Sequence, residues 1–374
     1  MPTSETTVPD FYAVIPAGGA GTRLWPLSRA GAPKFLHDLT GSGRSLIQAT
    51  ADRVEPLSGA AGIVVVTGAA HAAAISEQLP GLDAANLLTE PSPRDSMAAI
   101  GLAAAVLEAR HGDVVLGSFA ADQVITGRPS FEQAVREGVA AAREGHVVTI
   151  GIAASRPSTA FGYIHGGETL GLDGAPSARH VLGFTEKPDA TTAQRYLATG
   201  EYRWNAGMFI TRTSVVLGHL ARQRPALHDG LREIARAWDT PDRDAVVARV
   251  WPGLEKVAID HAVAEPVADA GGVVMVPGNF GWDDVGDFNS LAALLPADDQ
   301  SGSKVLGDAG DVVRVQSAGS VVVPAAGRVV TILGLDDVVV VDTPDALLVT
   351  TRARAQQVKD MVTELRDRGR DELL

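Results

Sequence analysis

The 374-residue chain contains no cysteine, which excludes disulfides and thiolate metal sites and is compatible with a reducing cytoplasm. It also lacks any run of about 18 uncharged apolar residues, the length that a membrane-crossing helix needs. Met1–Asp10 is polar and carries Glu5 and Asp10, so it does not read as a secretory signal. It is expected to be a disordered lead-in. Positive charge is scarce: 32 Lys and Arg stand against 45 Asp and Glu, a net charge of −13. General nucleic-acid binding needs a basic footprint, and this chain has none overall. A small anionic substrate is still allowed, because local cations can gather in one cleft. Only five residues are lysine, and two of these, Lys34 and Lys187, fall in the motifs below. At this length one hydrophobic core stops growing, so two domains are expected.

The most informative stretch is Val14–Lys34, VIPAGGAGTRLWPLSRAGAPK. The apolar run Phe11–Ile15 ends abruptly in Gly18-Gly19-Ala20-Gly21-Thr22-Arg23, the pattern of a buried strand entering a tight turn. Glycines there let backbone N–H groups approach an anion, because no Cβ intervenes. Arg23, Arg29 and Lys34 follow and add positive charge. The combination suggests a loop that holds nucleotide phosphates. It is not a Walker A loop, since no Gly-x-x-x-x-Gly-Lys-Ser/Thr spacing occurs. The dinucleotide fingerprint also fails, because Leu24 stands where its third glycine belongs. A Gly-x-Gly alone is equally a structural turn.

Downstream, helical and strand-like stretches alternate. Helices are expected over Ser45–Val54, Ala72–Leu79, Asp95–Arg110 and Pro129–Glu144, and strands over Gly62–Thr67, Asn86–Thr89, Val114–Phe119 and Val147–Ala153. Ser130-x-x-Gln133 and, later, Thr191-x-x-Gln194 have capping-box spacing. This rhythm implies an α/β fold, Rossmann-like and three-layered, with a mainly parallel sheet. Ligands of such sheets bind beyond the carboxyl ends of the strands, where the glycine loop and Asp122 both fall. Asp122 is placed there to hold Mg²⁺ with phosphate oxygens, although Asp at a strand end is also a common turn former. Asp95 is equally readable as a helix N-cap. From about Asp298 the texture changes to short β-branched runs separated by Gly and Asp, followed by a helical stretch at Thr351–Arg368. A small C-terminal β-helix-like domain with a terminal helix is expected over 298–374, after a catalytic domain over 11–297.

Gly18-Gly19-x-Gly21-x-Arg23-Leu24-x-Pro26-Leu27-Ser28-Arg29, followed by Pro33-Lys34, resembles the signature of the sugar-1-phosphate nucleotidyltransferases. Its Leu24–Arg29 wording is most similar to the mannose-1-phosphate guanylyltransferase branch. Further similar strings are Ser118–Asp122, Phe184-Thr185-Glu186-Lys187-Pro188, Trp204–Ile210 and Phe280–Gly286. The resemblance implies nucleotide contacts from Ala17, Gly18, Gly19, Gly21 and Thr22 in the loop, and from Glu90, Pro93, Asp95 and Ser96 in a turn facing the nucleobase. It implies catalytic roles for Arg23 and Lys34. Gly162, Glu186, Lys187 and Asn205 would hold the sugar phosphate, and Asp122 with Asp284 the metal. Asp283 occupies a variable position of that last motif and competes with Asp284 for the assignment. Guanine presents adjacent N1–H and N2–H₂ donors that one carboxylate can accept, which suits Glu90. Asp260 and His261 lean towards a packing role. The implied reaction joins GTP and mannose 1-phosphate with Mg²⁺ as cofactor, in the cytoplasm, in a homo-oligomer that engages neither nucleic acid nor membrane. Lys34 runs directly into Phe35-Leu36 where relatives usually interpose Gln, and no cupin-like isomerase domain follows, so a single activity is expected. The rivals are the same chemistry on another hexose or heptose phosphate, a silent sugar-nucleotide-binding regulator, and a Rossmann-type oxidoreductase.

Overall fold

Phe11–Ala17 folds as the expected strand and lies inside a sheet, with Ala13, Val14, Ile15 and Ala17 all fully buried. Burial on both faces is what an interior parallel strand requires. The computed structural model describes residues 7–19 and 21–374. Most of the lead-in expected over 1–10 therefore lies outside the described residues; Val8 N–H donates to the Leu57 carbonyl at 2.7 Å. The chain forms two compact units. One takes the chain up to Gly18, Thr50–Ala121 and Ile125–Trp282; the other takes Gly19–Ala49, Asp122–Val124 and Asp283–Leu374.

The strands of the first part of the chain are β1 (Phe11–Ala17), β2 (Ile63–Gly68), β3 (Leu87–Glu90), β4 (Val115–Ser118), β5 (Val124–Thr126), β6 (Val147–Ala153), β7 (Tyr163–Thr169), β8 (Arg179–Thr185), β9 (Tyr202–Arg212), β10 (Val273–Gly278) and β11 (Gly281–Asp283). Nine of them make one sheet in the order β3-β2-β1-β4-β9-β6-β10-β8-β7, while β5 pairs with β11. β1 lies parallel to β2 and β4. The long β9 then enters antiparallel to both β4 and β6. It follows the antiparallel β7–β8 pair through the connecting helix Ala190–Thr199 and also lies antiparallel to β7. The sheet is accordingly mixed.

The helix Asp95–His111 is buried continuously from Met97 to Leu107. It shares one core with Leu220, Leu231, Trp238 and Trp251, so apolar contact surrounds it on nearly every side. Trp238 and Trp251 are buried in that core. Other local readings are corrected. The helix Arg128–Arg143 begins after Gly127, with Ser130 already inside it, so Ser130-x-x-Gln133 makes no capping box. The helix Ala190–Thr199 is capped by Asp189, whose carboxylate accepts from Thr192 N–H at 2.8 Å, rather than by Thr191. Asp95 is the first helical residue and not the cap. Gly166-Gly167 lies within β7 at a register shift. Asn205-Ala206-Gly207 lies inside β9.

In the second unit, Leu24, Trp25, Leu39 and Leu46 share a core with Val285, Phe288, Val321, Val339, Leu348 and Val358. The strands β12 (Lys304–Val305), β13 (Val312–Val315), β14 (Val321–Pro324), β15 (Val330–Leu333), β16 (Val338–Asp342) and β17 (Leu347–Thr351) form two small sheets. Lys304 lies opposite Val321, and Val321 opposite Val339, in parallel register. β13 pairs parallel with β15, and β17 closes the other sheet antiparallel to β16. Successive parallel coils of this kind are a short β-solenoid. A 3₁₀ turn, Arg352–Gln357, precedes the terminal helix Val358–Asp367, which is shorter than the sequence suggested.

Candidate functional site

The glycine loop opens from the carboxyl end of β1. Gly18 and Gly19 are exposed, whereas Ala17 is buried and its carbonyl accepts from Thr67 Oγ1 at 2.8 Å. Gly21 adopts φ 63°, and a Cβ there would meet the Lys34 side chain at 3.1 Å, so both conformation and space require glycine. The Ser28 hydroxyl donates to the Gly21 carbonyl and ties the signature back onto the loop. Trp25 Nε1 donates to Leu373 O at 2.8 Å. Arg29 forms a two-point ion pair with Asp345, both contacts 2.6 Å. Its charge is therefore already matched within the fold, which corrects its reading as part of a phosphate-binding cation cluster. Arg23 takes a different course: Nη1 donates to Gln356 Oε1 at 3.0 Å, and Gln356 in turn donates to Asp287. Thr22 lies exposed beside it.

Lys34 is 8% exposed and is the centre of a small electrostatic cluster. Its Nζ lies 3.0 Å from Asp122 Oδ2 and donates to the Asp284 main-chain oxygen at 2.5 Å. Burial raises the Asp284 carboxyl above the usual range; Lys34 and Arg23 oppose that rise, while Asp122 and Asp287 add to it. Two carboxylates 162 residues apart in sequence thus feel each other's charge beside one ammonium. Asp283 Oδ1 instead accepts from Val285 N–H at 2.7 Å. Val285 itself has φ 46°, a left-handed value rare for a β-branched residue. Among the described residues no group of three or more His, Asp or Glu is gathered for a metal. A cation held by this pair would complete its shell from substrate oxygens and water, which suits Mg²⁺ better than a closed protein cage.

Glu90 is the last residue of β3, ahead of the turn, and is 8% exposed with Oε1 buried and unpartnered among the described residues. Burial pushes its carboxyl up to about 7. An acid kept there without a partner is costly unless a ligand satisfies it. The turn is braced from behind: Trp251 Nε1 donates to Ser92 O at 2.8 Å and Arg94 Nη2 to Pro252 O at 2.6 Å. Pro93 and Asp95 are exposed, Asp95 with φ 64°. Ser96 Oγ accepts from Ile259 N–H at 2.9 Å.

Gly162, Glu186, Lys187 and Asn205 form a cluster in the first unit. A Cβ on Gly162 would meet Glu186 Oε2 at 2.5 Å and Asn205 Cβ at 3.4 Å, so glycine is what allows these side chains to converge. Asn205 N–H donates to Gly162 O at 2.8 Å. Lys187 is ion-paired with Glu186 and has φ 46°. Asp260, read from sequence as packing, belongs here: its Oδ1 accepts from Asn205 Nδ2 at 2.9 Å. Its partner lies 55 residues away in the sequence, beyond the reach of a local reading. His261 pairs instead with Glu265. Trp204 and Trp282 both pack edge-on against Phe161, and their buried indole N–H groups have no partner among the described residues.

A mixed α/β sheet with a glycine turn at the end of an interior strand, followed by a short parallel solenoid, places the protein in the class of α/β nucleotide-handling transferases. A family model described as Nucleotidyl transferase matches residues 12–301, and one described as MannoseP isomerase/GMP-like beta-helix domain matches 310–365. The chain belongs to the nucleotidyl transferase family. It is 38% identical over 369 residues to the Xanthan biosynthesis protein XanB of Xanthomonas campestris pv. campestris, covering 97% of this chain and 75% of that protein. It is 36% identical over 371 residues to a mannose-1-phosphate guanylyltransferase of Escherichia coli (strain K12), with the same coverage. A crystal structure from Thermus thermophilus, described as a mannose-1-phosphate geranyltransferase, superposes with a TM-score of 0.83 at 32% identity, covering 96% of this chain and 99% of that one. Among the described residues no helix is long and apolar enough to cross a membrane.

Proposed function

We propose that the protein transfers GMP from GTP to mannose 1-phosphate, releasing pyrophosphate and forming GDP-mannose. Relatives named as mannose-1-phosphate guanylyltransferases, matched over nearly the whole chain, support this reading. The observation that carries the chemistry is the meeting of Asp122 and Asp284 at Lys34. A phosphate oxygen of mannose 1-phosphate attacks the α-phosphorus of GTP; the bond to the β-phosphate oxygen breaks and pyrophosphate leaves with its electron pair. The attacking phosphate is already ionised near neutral pH, so no general base is needed. Positioning and charge stabilisation carry the rate. Arg23 and the loop N–H groups of Gly18, Gly19, Gly21 and Thr22 hold the departing phosphates, and Lys34 the α-phosphate. Asp122 and Asp284 are the residues that would hold Mg²⁺, which when bound supplies charge neutralisation between two polyanions. Glu186 accepts sugar hydroxyls, with Asn205 and the Gly162 backbone beside it, and Lys187 meets the sugar phosphate. Residues 11–297 act as the catalytic domain and 298–374 as a solenoid with its helix, in a cytoplasmic homo-oligomer. The test is pyrophosphate release with GTP, UTP, CTP and ATP against a panel of hexose and heptose 1-phosphates. GTP with mannose 1-phosphate should turn over fastest; equal rates with another sugar phosphate would overturn the substrate assignment.

Glu90 reads the guanine edge in this scheme, and its burial gives two opposite expectations. Glu90→Gln loses charge-assisted hydrogen bonds to N1–H and N2–H₂, worth about 1.5–3 kcal/mol, so kcat/KM for GTP should fall roughly ten- to hundredfold. UTP should be little affected. For the same reason the wild-type KM for GTP should rise as pH drops through about 7 and the carboxylate protonates. Stability moves the other way. Because the folded pKa lies above the ordinary value of 4.5, ionising Glu90 opposes folding, and this cost grows as pH climbs from 4.5 to about 7. At pH 8 the Gln variant should therefore melt higher than wild type. A lower melting point, or unchanged base preference, would reject the assignment.

Gly21→Ala forces a left-handed backbone on an L-residue and crowds Lys34. With strain of about 1–3 kcal/mol, kcat/KM should fall roughly five- to a hundredfold. Gly18→Ala, where a Cβ meets nothing within 4 Å, should cost much less. Steady-state kinetics on the pair would check this.

A further inference from the structure

We infer that Asp260 is the positioning residue that fixes the Asn205 amide, so that Asn205 meets the sugar as a hydrogen-bond donor. The argument rests on the sugar-phosphate reading above and begins with an atom that has no freedom. The Gly207 backbone N–H can only donate, and it points at one end of the Asn205 amide at 3.1 Å. That end must be the carbonyl oxygen, Oδ1, which settles the ambiguity that amide ends usually carry. Thr149 Oγ1, fully buried, donates to the same oxygen at 2.9 Å. Both acceptor positions of the carbonyl are then filled. The NH₂ end has two hydrogens, and one goes to Asp260 Oδ1 at 2.9 Å. What the side chain has left for a ligand is its other N–H.

A hydroxyl on a pyranose would therefore present its oxygen to Asn205. Its own hydrogen would go to Glu186, whose Oε2 stands against Gly162 in the same cluster. A donor on one side and a carboxylate on the other selects a hydroxyl, because a hydroxyl is both acceptor and donor. A deoxy or O-methyl sugar meets only half of that arrangement.

Asp260 is placed for this task by local backbone. Residues Asp260–Ala264 form a π-helical turn, a feature that re-aims side chains and recurs at functional sites. Ile259 just before it is anchored through its N–H to Ser96 Oγ. Burial and the neighbouring Glu186 push the Asp260 carboxyl up to about 6. Holding two carboxylates this close without a need for one of them would only destabilise the fold.

The test compares Asp260→Ala with Asp260→Asn in the full-length protein. Asn can turn its amide oxygen to Asn205 and restore the acceptor, whereas Ala cannot. The Ala variant should raise KM for mannose 1-phosphate at least tenfold, with KM for GTP unchanged and kcat within a few-fold. The Asn variant should recover most of the loss, and its melting curve should show that it is folded. Direct calorimetric titration with mannose 1-phosphate should rank the three proteins in the same order. If Asn is as impaired as Ala, the carboxylate charge itself is required and the positioning role is wrong. If Ala binds mannose 1-phosphate normally, Asp260 has no part in the sugar site. An inactive wild type would instead overturn the substrate reading, and the two failures are thereby kept apart.

Discussion

Asp284→Asn is expected to lower kcat by about a thousandfold, at the upper end of what removing one transition-state charge partner costs. The change is isosteric and leaves the main-chain oxygen that receives Lys34 Nζ in place, so the fold should persist. What disappears is one of two negative charges that repel each other beside that ammonium. If the pair acts as one unit towards a divalent cation, Asp122→Asn should cause a loss of the same size. The double variant should be scarcely worse than either single, since groups acting as a unit are strongly non-additive. Magnesium titrations should show half-saturation displaced to higher concentration in both singles. Asp283→Asn serves as the control: Asp283 Oδ1 is committed to the Val285 N–H, and its replacement should leave the magnesium dependence nearly unchanged. A near-normal rate for Asp284→Asn would remove the metal-binding role altogether.

The sequence and the structure agree best where a feature is contiguous. The strand β1 with its glycine turn, the long buried helix after Glu90 and the β-branched runs beyond Asp298 each announce themselves within about twenty residues. What could not be read locally falls into two kinds. The first is competition for helix starts. Asp189 and Gly127 lie just upstream of apparently good capping boxes and take over the ends, because the preceding chain direction, and not the box, decides where the first turn begins. The second is partnership over distance. Arg29 stands inside a phosphate-loop signature and looks like a phosphate ligand, yet its partner is Asp345, 316 residues on. Asp260 looks like packing until Asn205 is set against it. The mixed character of the sheet has the same origin. Nothing in the composition of β9 states that it enters antiparallel.

Lys34→Met should produce a loss of about a hundred- to a thousandfold in kcat, but with a different signature from that of the aspartates. The side chain is almost fully buried, and Met fills a similar volume without the charge. Removing the ammonium takes away the cation that holds the Asp284 carboxyl down against burial and against Asp122. Its pKa then rises further, more of the carboxylate is protonated at a given pH, and the acid limb of the pH–rate profile moves upward. Raising the pH should recover part of the activity of Lys34→Met and none of the activity of Asp284→Asn. The magnesium response separates the two again. In the native cluster Lys34 competes with any cation for Asp122, which it touches at 3.0 Å. Once the carboxylates are ionised, the Met variant should bind magnesium at least as tightly as wild type. Its kcat should nevertheless remain low at saturating magnesium and high pH, because the α-phosphate has lost its fixed positive partner. Full recovery under those conditions would show that Lys34 only tunes the carboxylates and takes no direct part in the transfer.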